Sequence, residues 1–355
     1  MAPVTTDTLD DRATHQAAAP PMPRGPVSEL LLASLRERPH EISWSPASAG
    51  GAEGDDLQLA LYCCYELHYQ GLPGVAETWE WEPSLLAIRR QLEDRFLAEL
   101  QDVIGPVEAT AGTVVPRLRE MAADSGGPSL SAWVSETATI EQLRELVILR
   151  SAYQLKEADP HTWGIPRLAG AAKAAMVSIQ FEEYGEGVAE RMHSALFSDT
   201  MRAVGLDPAT SYLDAIPGVA LATTNLISLL GLHRRWRGAL VGHLALFEMT
   251  SVGPMGRYGH AMRRLGVPEE ACRFYDVHVV ADESHQDVAT DGMVGGLLAR
   301  EPDLARDVVF GAMALQRVEE RFASYVLGCW QAGRSSLRRL DWRAGEPQAP
   351  GSRLD

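Results

Sequence analysis

Residues 274–285 read Phe-Tyr-Asp-Val-His-Val-Val-Ala-Asp-Glu-Ser-His and contain a metal-binding pattern. His278, Asp282 and His285 stand at positions i, i+4 and i+7. On a helix that turns about 100° per residue, these positions share one narrow face. Two imidazoles and a carboxylate on one face form half of a metal site. The alternative is an exposed polar stripe with two incidental histidines, and only ligands elsewhere in the chain would separate the two interpretations.

Length and charge limit the classes of function. The chain has 355 residues, enough for one large domain or two ordinary ones, and an apolar content of 46%, which permits a substantial core. The formal net charge is −16, from 32 basic and 48 acidic side chains. This balance disfavours nucleic acid, because phosphate binding needs clustered Lys and Arg, and it disfavours an anionic membrane surface.

The sequence carries no signal for export or for membrane insertion. It contains no run of about 18 uninterrupted apolar residues, and its N-terminus has no apolar segment behind positive charge. None of the four cysteines forms a CxxC pair, so neither a zinc ribbon nor a disulfide framework is indicated. We therefore expect a cytoplasmic protein with reduced thiols.

Hydrophobic spacing predicts an all-α protein with about seven core helices and additional N-terminal helices. No alternating polar and apolar run bounded by turn signals predicts a strand. N-terminal helices are expected after Asp56 and from Pro83, which reads as a first-turn proline. A further helix, capped by Thr137 or Thr139, must end before Pro160.

Longer helices are expected over residues 165–204, 221–249 and 302–331. Gly185 and Gly187 each cost helix stability, so a kink or loosened turn is predicted in the first of them.

Composition divides the chain into three parts. Residues 1–26 are rich in Ala and Pro, which predicts a disordered tail. Residues 27–335 are expected to form a single helical domain, and residues 336–355 a flexible C-terminal tail.

Other predicted helices offer partners for the His278 face. Dimetal sites in helix bundles take inward Glu and His side chains from several neighbouring helices. Glu248 is the most telling candidate, because residues 244–247 before it carry no charge. A carboxylate in such a run either reaches solvent at the helix edge or is buried and compensated, and a metal cation is one compensation. The remaining candidates are Glu157, Glu182, Glu183, Glu186 and His193.

The spacing around Gly185 leaves alternatives open. Ten residues separate Glu183 from His193, which on an ideal helix leaves them about 80° apart, whereas Glu182 aligns better with His193. A kink at the glycines would weaken this objection. The other histidines that we considered are expected to pack or cap rather than bind metal: His68, His161 and His243.

Four segments carry a family resemblance. They are LKEADPHTWGIPRL (155–168), QFEEYGEGVAERMHSALF (180–197), LVGHLALFEMTS (240–251) and FYDVHVVADESH (274–285). They resemble the signature segments of the haem-oxygenase-like dimetal oxidases, also described as iron-containing redox enzymes. The likeness runs over residues 56–331 and implies a haem-oxygenase-like bundle for the domain at 27–335.

The resemblance also implies a ligand set. Glu183 is expected to bridge the metals or to move between states, and Glu157, Glu183 and Asp282 take the catalytic roles. Glu186, where many relatives have glycine, adds a carboxylate near the site and leaves the choice among neighbouring glutamates open. The seven implied metal ligands are Glu157, Glu183, His193, Glu248, His278, Asp282 and His285.

By this resemblance the protein is a non-haem diiron oxygenase or oxidase that uses two Fe(II) ions, O2 and an external electron donor. N-oxygenation of a small-molecule amine or guanidine in natural-product biosynthesis is favoured, because the segments are most like those of guanidine N-hydroxylating members. One alternative is a diiron oxidase that abstracts hydrogen and fragments a C–C bond of an amino or fatty acid. Another is an iron-binding protein without oxygenase activity.

The expected partners are the small-molecule substrate and a reductant, and the resemblance is compatible with a homodimer. Side chains near the ligand positions are candidates for substrate contact or for core packing: Arg150, Trp163, Phe181 and Tyr184.

Overall fold

The computed structural model describes residues 20–44, 54–124 and 127–338, apart from the side chains of residues 282–284. These residues form fourteen α-helices and no β-strand, so the prediction of an all-α fold is confirmed. The first seven helices are α1 (Pro26–Leu35), α2 (Asp55–Glu66), α3 (Pro83–Ile104), α4 (Ala111–Ala123), α5 (Leu130–Thr137), α6 (Ile140–Gln154) and α7 (Asp159–Thr162). The others are α8 (Gly170–Glu183), α9 (His193–Ala203), α10 (Gly218–Leu232), α11 (Arg237–Arg264), α12 (Arg273–Asp287), α13 (Gly295–Arg300) and α14 (Ala305–Gln331).

Helix α11 lies at the centre of the bundle. It packs against α12 and α14 and also contacts α4, α5 and α10. Its closest approach is to α14, where a Cβ atom at Gly242 would overlap the carbonyl oxygen of Val308, and a Cβ atom at Gly311 would overlap that of Ala239. Glycine at these two positions therefore lets the two backbones touch, which fixes how deep α11 and its Glu248 sit in the fold.

Local signals in the sequence place several helix ends correctly. Pro83 begins α3, as predicted for a first-turn proline. Thr139, not Thr137, caps α6: its hydroxyl accepts a hydrogen bond from the Gln142 N–H (3.3 Å), and the Gln142 side chain accepts one from the Thr139 N–H (2.9 Å). Helix α6 ends before Pro160, as the proline requires.

Three predicted helix boundaries are wrong. The helix expected over 165–204 is two helices, α8 and α9, separated by a full break at residues 184–192. The helix expected over 221–249 is interrupted at residues 233–236, and α11 instead continues through Pro254 to Arg264. The reason is that α10 and α11 are buried on most sides, and a helix that is apolar all round gives little periodic signal for its ends.

Most of the two predicted tails lies outside the described residues. The described ends do pack on the domain: the Met22 N–H donates to Asp214 Oδ1 (2.8 Å), and the Ser336 N–H donates to Glu145 Oε2 (2.8 Å). Met22 and Ser336, which lie just outside the predicted domain, thus make hydrogen bonds to the bundle. None of the described helices is long and apolar enough to cross a membrane.

The α11–α14 contact gives a stability prediction. We expect Gly311→Ala to lower the free energy of unfolding by about 2 kcal/mol, because the added methyl group meets the α11 backbone. Gly328, on the same helix, has open space around its Cα, and Gly328→Ala should instead stabilise by about 0.5 kcal/mol through helix propensity. Urea unfolding monitored by circular dichroism measures both; equal effects of the two substitutions would contradict the close-packing argument.

Candidate metal centre

Six of the seven expected ligand residues converge in the interior. Glu157 lies in the turn after α6, Glu183 ends α8 and His193 begins α9. Glu248 lies in the middle of α11, and α12 carries both histidines of the opening pattern. The side chain of Asp282 lies outside the described residues, so its role stays a prediction. The six buried residues are Glu157, Glu183, His193, Glu248, His278 and His285.

Four of these side chains form one group. Ligand atoms of Glu157, Glu183, His193 and His278 all lie within 4.8 Å of one another. His193 Nδ1 is 2.8 Å from Glu183 Oε2, and His278 Nε2 is 3.7 Å from Glu157 Oε1. Two carboxylates and two imidazoles therefore point at one small volume, which is the arrangement that a divalent cation needs.

A second group contains Glu183 again, with Glu248 and His285. Their ligand atoms also lie within 4.8 Å of one another, and His285 Nδ1 is 3.1 Å from Glu248 Oε2. Glu183 belongs to both groups, and a carboxylate has two oxygens with which to contact two cations. The two groups together are the arrangement of a dimetal site with a shared carboxylate.

The break after α8 brings His193 to Glu183. Gly185 has φ +63°, and a Cβ atom there would lie 2.5 Å from the backbone carbonyl carbon of Arg191 and the amide nitrogen of Met192. The chain therefore folds back on itself at Gly185, where only glycine fits. This reversal removes the 80° mismatch that an ideal helix would impose at about 100° per residue.

The hydrogen bonds of His278 fix which ring nitrogen faces the group. Its Nδ1 lies 2.6 Å from the carbonyl oxygen of Phe274. A carbonyl only accepts, so Nδ1 carries a proton, and Nε2 is the ring atom that faces Glu157. Metal-bound histidines usually make this bond from their second nitrogen.

Two buried polar atoms of the same group lack partners. Glu157 Oε2 and His193 Nδ1 make no hydrogen bond with any residue that the structure describes, although Nδ1 is only 2.8 Å from Glu183 Oε2. His193 Nδ1 and Glu183 Oε2 are therefore close without meeting the angles of a hydrogen bond. Buried polar atoms are rarely left in this state, and a metal ion would satisfy both. The donor set of carboxylates and imidazoles fits iron or manganese.

Burial and the neighbouring rings shift the two carboxyl groups in opposite directions. Burial raises the pKa of Glu157, and the nearby His278 only partly offsets it. Burial also tends to raise the pKa of Glu183, but the nearby His193, His278 and His285 have a larger opposite effect and lower this pKa to about 2. Glu183 is therefore the carboxylate that the surrounding imidazoles hold ionised, which suits a ligand shared by both groups.

The sequence comparison agrees with this donor set. Residues 144–320 match the family described as iron-containing redox enzyme. This segment belongs to the iron-containing redox enzymes. It contains all seven residues expected as ligands. The all-α, haem-oxygenase-like fold is confirmed with it.

One similar protein is the nitrosourea synthase of Streptomyces achromogenes subsp. streptozoticus. It is 23% identical to this chain over 192 residues. The aligned region covers 52% of this chain and 40% of the synthase, so the likeness concerns one part of a longer enzyme.

Glu182, Glu183 and Glu186, the three glutamates near Gly185, differ in their burial and in their contacts. Glu183 is buried in the cluster. Glu182 is 39% exposed, and its Oε2 lies 3.0 Å from His285 Nε2 at the outer side of the second group. Glu186 faces solvent, with its Oε2 accepting from Arg191 Nη1 at 2.9 Å. Glu186 therefore lies away from the cluster, while Glu182 borders it.

Of the histidines that we set aside as ligands, His161 lines the space inside the cluster, and His243 contacts His161. His161 and His243 are buried, and their Nε2 and Nδ1 atoms are 3.2 Å apart. Burial lowers the pKa of His161 to about 4 and that of His243 well below its usual range, so both rings are neutral. His161 follows Glu157 by four residues, and this spacing could have indicated that the two side chains lie close together. No local signal in the sequence indicated the position of His243. His68 instead contacts Glu80 at the far side of the bundle.

The four residues that we considered as substrate contacts lie at different positions relative to the cluster. Phe181 is 55% exposed and points away from the cluster. The Tyr184 hydroxyl donates to Asp159 Oδ1 (2.8 Å), which braces the turn after Glu157 against α8. Trp163 is half-buried beside that turn. Arg150 lines a separate cavity next to the cluster.

We expect Glu183→Gln to weaken Fe(II) binding by on the order of 100-fold, because loss of a shared ligand should exceed the cost of losing a supporting residue. Glu186→Gln is the matched control, three residues away and exposed, and should bind Fe(II) as the wild-type chain does. Anaerobic Fe(II) titration measures both. Normal affinity in Glu183→Gln, or loss in Glu186→Gln, would show that the ligand was misassigned.

The turn at Gly185 can be tested in the same way. Gly185→Ala should lower Fe(II) affinity by on the order of tenfold, because the methyl group pushes residues 191–192 away and His193 with them. Gly187→Ala carries similar backbone strain, of about 1 kcal/mol at φ +82°, but meets no atom within 4 Å. It should keep Fe(II) affinity, and equal losses in both variants would argue against a positioning role for the Gly185 turn.

Proposed function

We propose that this protein is a non-haem diiron oxygenase that oxidises a nitrogen atom of a small-molecule amine or guanidine. The observation that carries the proposal is the pair of ligand groups that share Glu183. A single structural cation would need only one such group. The orientation of the His278 ring and the unpaired Glu157 Oε2 support the same assignment.

The residues divide between the two proposed ions. Glu157, Glu183, His193 and His278 would hold one ion, and Glu183, Glu248 and His285 would hold the other. Asp282 is a predicted further ligand from α12. Bound there, two Fe(II) ions would supply reducing equivalents for the activation of O2.

The protein provides the surroundings for this chemistry. The carboxylates of Glu157, Glu183 and Glu248 balance the cations inside the bundle, and their burial keeps bulk water from the reactive centre. The Phe274 carbonyl holds the His278 ring in place, so one ligand is oriented before any metal binds. The neutral pair of His161 and His243 adds no charge beside the cluster.

Oxidation of nitrogen is favoured by the likeness to the nitrosourea synthase, whose named product class contains nitrogen bonded to oxygen. For an amine the balanced reaction is R–NH2 + O2 + 2 electrons + 2 protons, giving R–NHOH + H2O. The two electrons must come from outside the substrate. We therefore propose an external reductant as the second partner, and a place in natural-product biosynthesis.

The proposal predicts substrate-dependent use of O2. The Fe(II)-loaded protein with a chemical reductant should consume O2 faster in the presence of one member of a panel of amines and guanidines. Mass spectrometry after reaction with isotopically labelled O2 should find label on nitrogen, and Glu183→Gln should abolish it. Iron uptake without O2 consumption would indicate an iron-binding protein, and C–C cleavage of an amino or fatty acid would indicate the fragmenting oxidase.

A further inference from the structure

Both ring nitrogens of His285 lie next to a carboxylate. Nδ1 is 3.1 Å from Glu248 Oε2, and Nε2 is 3.0 Å from Glu182 Oε2. Glu248 is a member of the second group of ligand atoms, whereas Glu182 is a member of neither group. The imidazole ring therefore lies between the candidate metal site on its Nδ1 side and Glu182 on its Nε2 side.

Glu182 differs from the candidate ligands around it in its exposure. Its side chain is 39% exposed, while the side chains of Glu248 and His285 are 5% and 2% exposed. Water can therefore balance the charge of Glu182, whereas a buried carboxylate needs a cation or a ring nitrogen beside it. This position suits a residue that supports a ligand from the solvent side.

A carboxylate at this place has a defined role in metal sites. A histidine that binds a metal through one ring nitrogen has the N–H of the other nitrogen left to donate. That N–H usually donates to a carboxylate, a carbonyl or water, which orients the ring and makes it a more basic ligand. With a metal on the Nδ1 side of His285, Glu182 Oε2 is the acceptor within hydrogen-bond distance of Nε2.

The two histidines of α12 are supported by different acceptors. His278 donates from Nδ1 to the neutral carbonyl oxygen of Phe274, whereas the acceptor beside His285 Nε2 is the carboxylate of Glu182. A hydrogen bond to an ionised acceptor is roughly twice as strong as one to a neutral acceptor. His285 should therefore be the more basic of the two ligands, and the two bound ions should be unequal.

We infer that Glu182 is a positioning residue, which holds the His285 ring through Nε2 and thereby strengthens metal binding at the second group. Sequence spacing left Glu182 open as an alternative ligand, but in the structure it contacts a candidate ligand instead. The inference rests on the two-ion site of the proposed function and not on the reaction. It is measured with the metal alone and without O2.

The first test is the affinity of each ion in an anaerobic Fe(II) titration. Glu182→Gln keeps the shape of the side chain but not its charge, and it should weaken one of the two ions by on the order of tenfold, with a smaller effect on the other. Glu186→Gln makes the same change on a 56% exposed side chain that contacts Arg191, and it should bind both ions as the wild-type chain does. Circular dichroism should show that both variants are folded.

The second test reports the hydrogen bond itself. In the Co(II)-loaded protein, ring N–H protons of metal-bound histidines give strongly shifted resonances that exchange with D2O. The His285 N–H resonance, identified by its absence from His285→Gln, should shift and exchange faster in Glu182→Gln. The His278 N–H resonance should stay unchanged as an internal reference, because its acceptor is the Phe274 carbonyl.

Three results would overturn the inference. Unchanged Fe(II) binding and an unchanged His285 resonance in Glu182→Gln would reduce the contact to a surface ion pair. Loss of one ion in Glu182→Gln as complete as in Glu248→Gln would make Glu182 a ligand. Equal weakening in Glu186→Gln would reduce the effect to net charge.

Failure of the proposed function gives a different result. A protein that binds two Fe(II) ions, responds to Glu182→Gln as predicted and yet consumes no O2 with any amine or guanidine would refute the oxygenase. The same result would support the role of Glu182, because that role concerns only how one ion is held.

Discussion

Three carboxylates, Glu157, Glu183 and Glu248, are buried close together, and their negative charge has to be balanced inside the bundle. Removing an ion from water costs several kcal/mol even after the protein relaxes. The imidazoles next to them contribute to this balance, and His278 gives its Nδ1 proton to the Phe274 carbonyl, which leaves Nε2 facing the carboxylates. Metal cations held by the carboxylates and the imidazoles together would balance the remaining negative charge.

The bundle achieves this arrangement through backbone contacts that only glycine permits. Gly242 and Gly311 bring α11 against α14, which buries Glu248 far from solvent. Gly185 reverses the chain after α8, which sets His193 beside Glu183. These close approaches cost conformational freedom, and they place ligands from separate helices within a few ångströms.

The same helices connect the metal centre to its surroundings. Helix α6 carries Arg150, which is bound by Glu319, and Tyr153, which lines the space inside the cluster, and the turn after it holds Glu157. The same helix therefore positions a candidate ligand and the side chains around it. Positioning of this kind is a large part of what a protein contributes to a reaction whose oxidising power comes from a cofactor.

The sequence by itself determined the helical class and indicated His278, His285 and Glu248, because the two histidines repeat at helical spacing and the glutamate interrupts an apolar run. The family resemblance added Glu157, Glu183 and His193. Ideal-helix spacing favoured Glu182 over Glu183 as the neighbour of His193, and the kink predicted at Gly185 and Gly187 left that choice open. Only the tertiary structure decided that choice, because the fold-back depends on backbone contacts between residues six and seven positions apart. It alone paired His161 with His243, since these residues belong to helices that are distant in sequence, and local periodicity carries no information about such contacts.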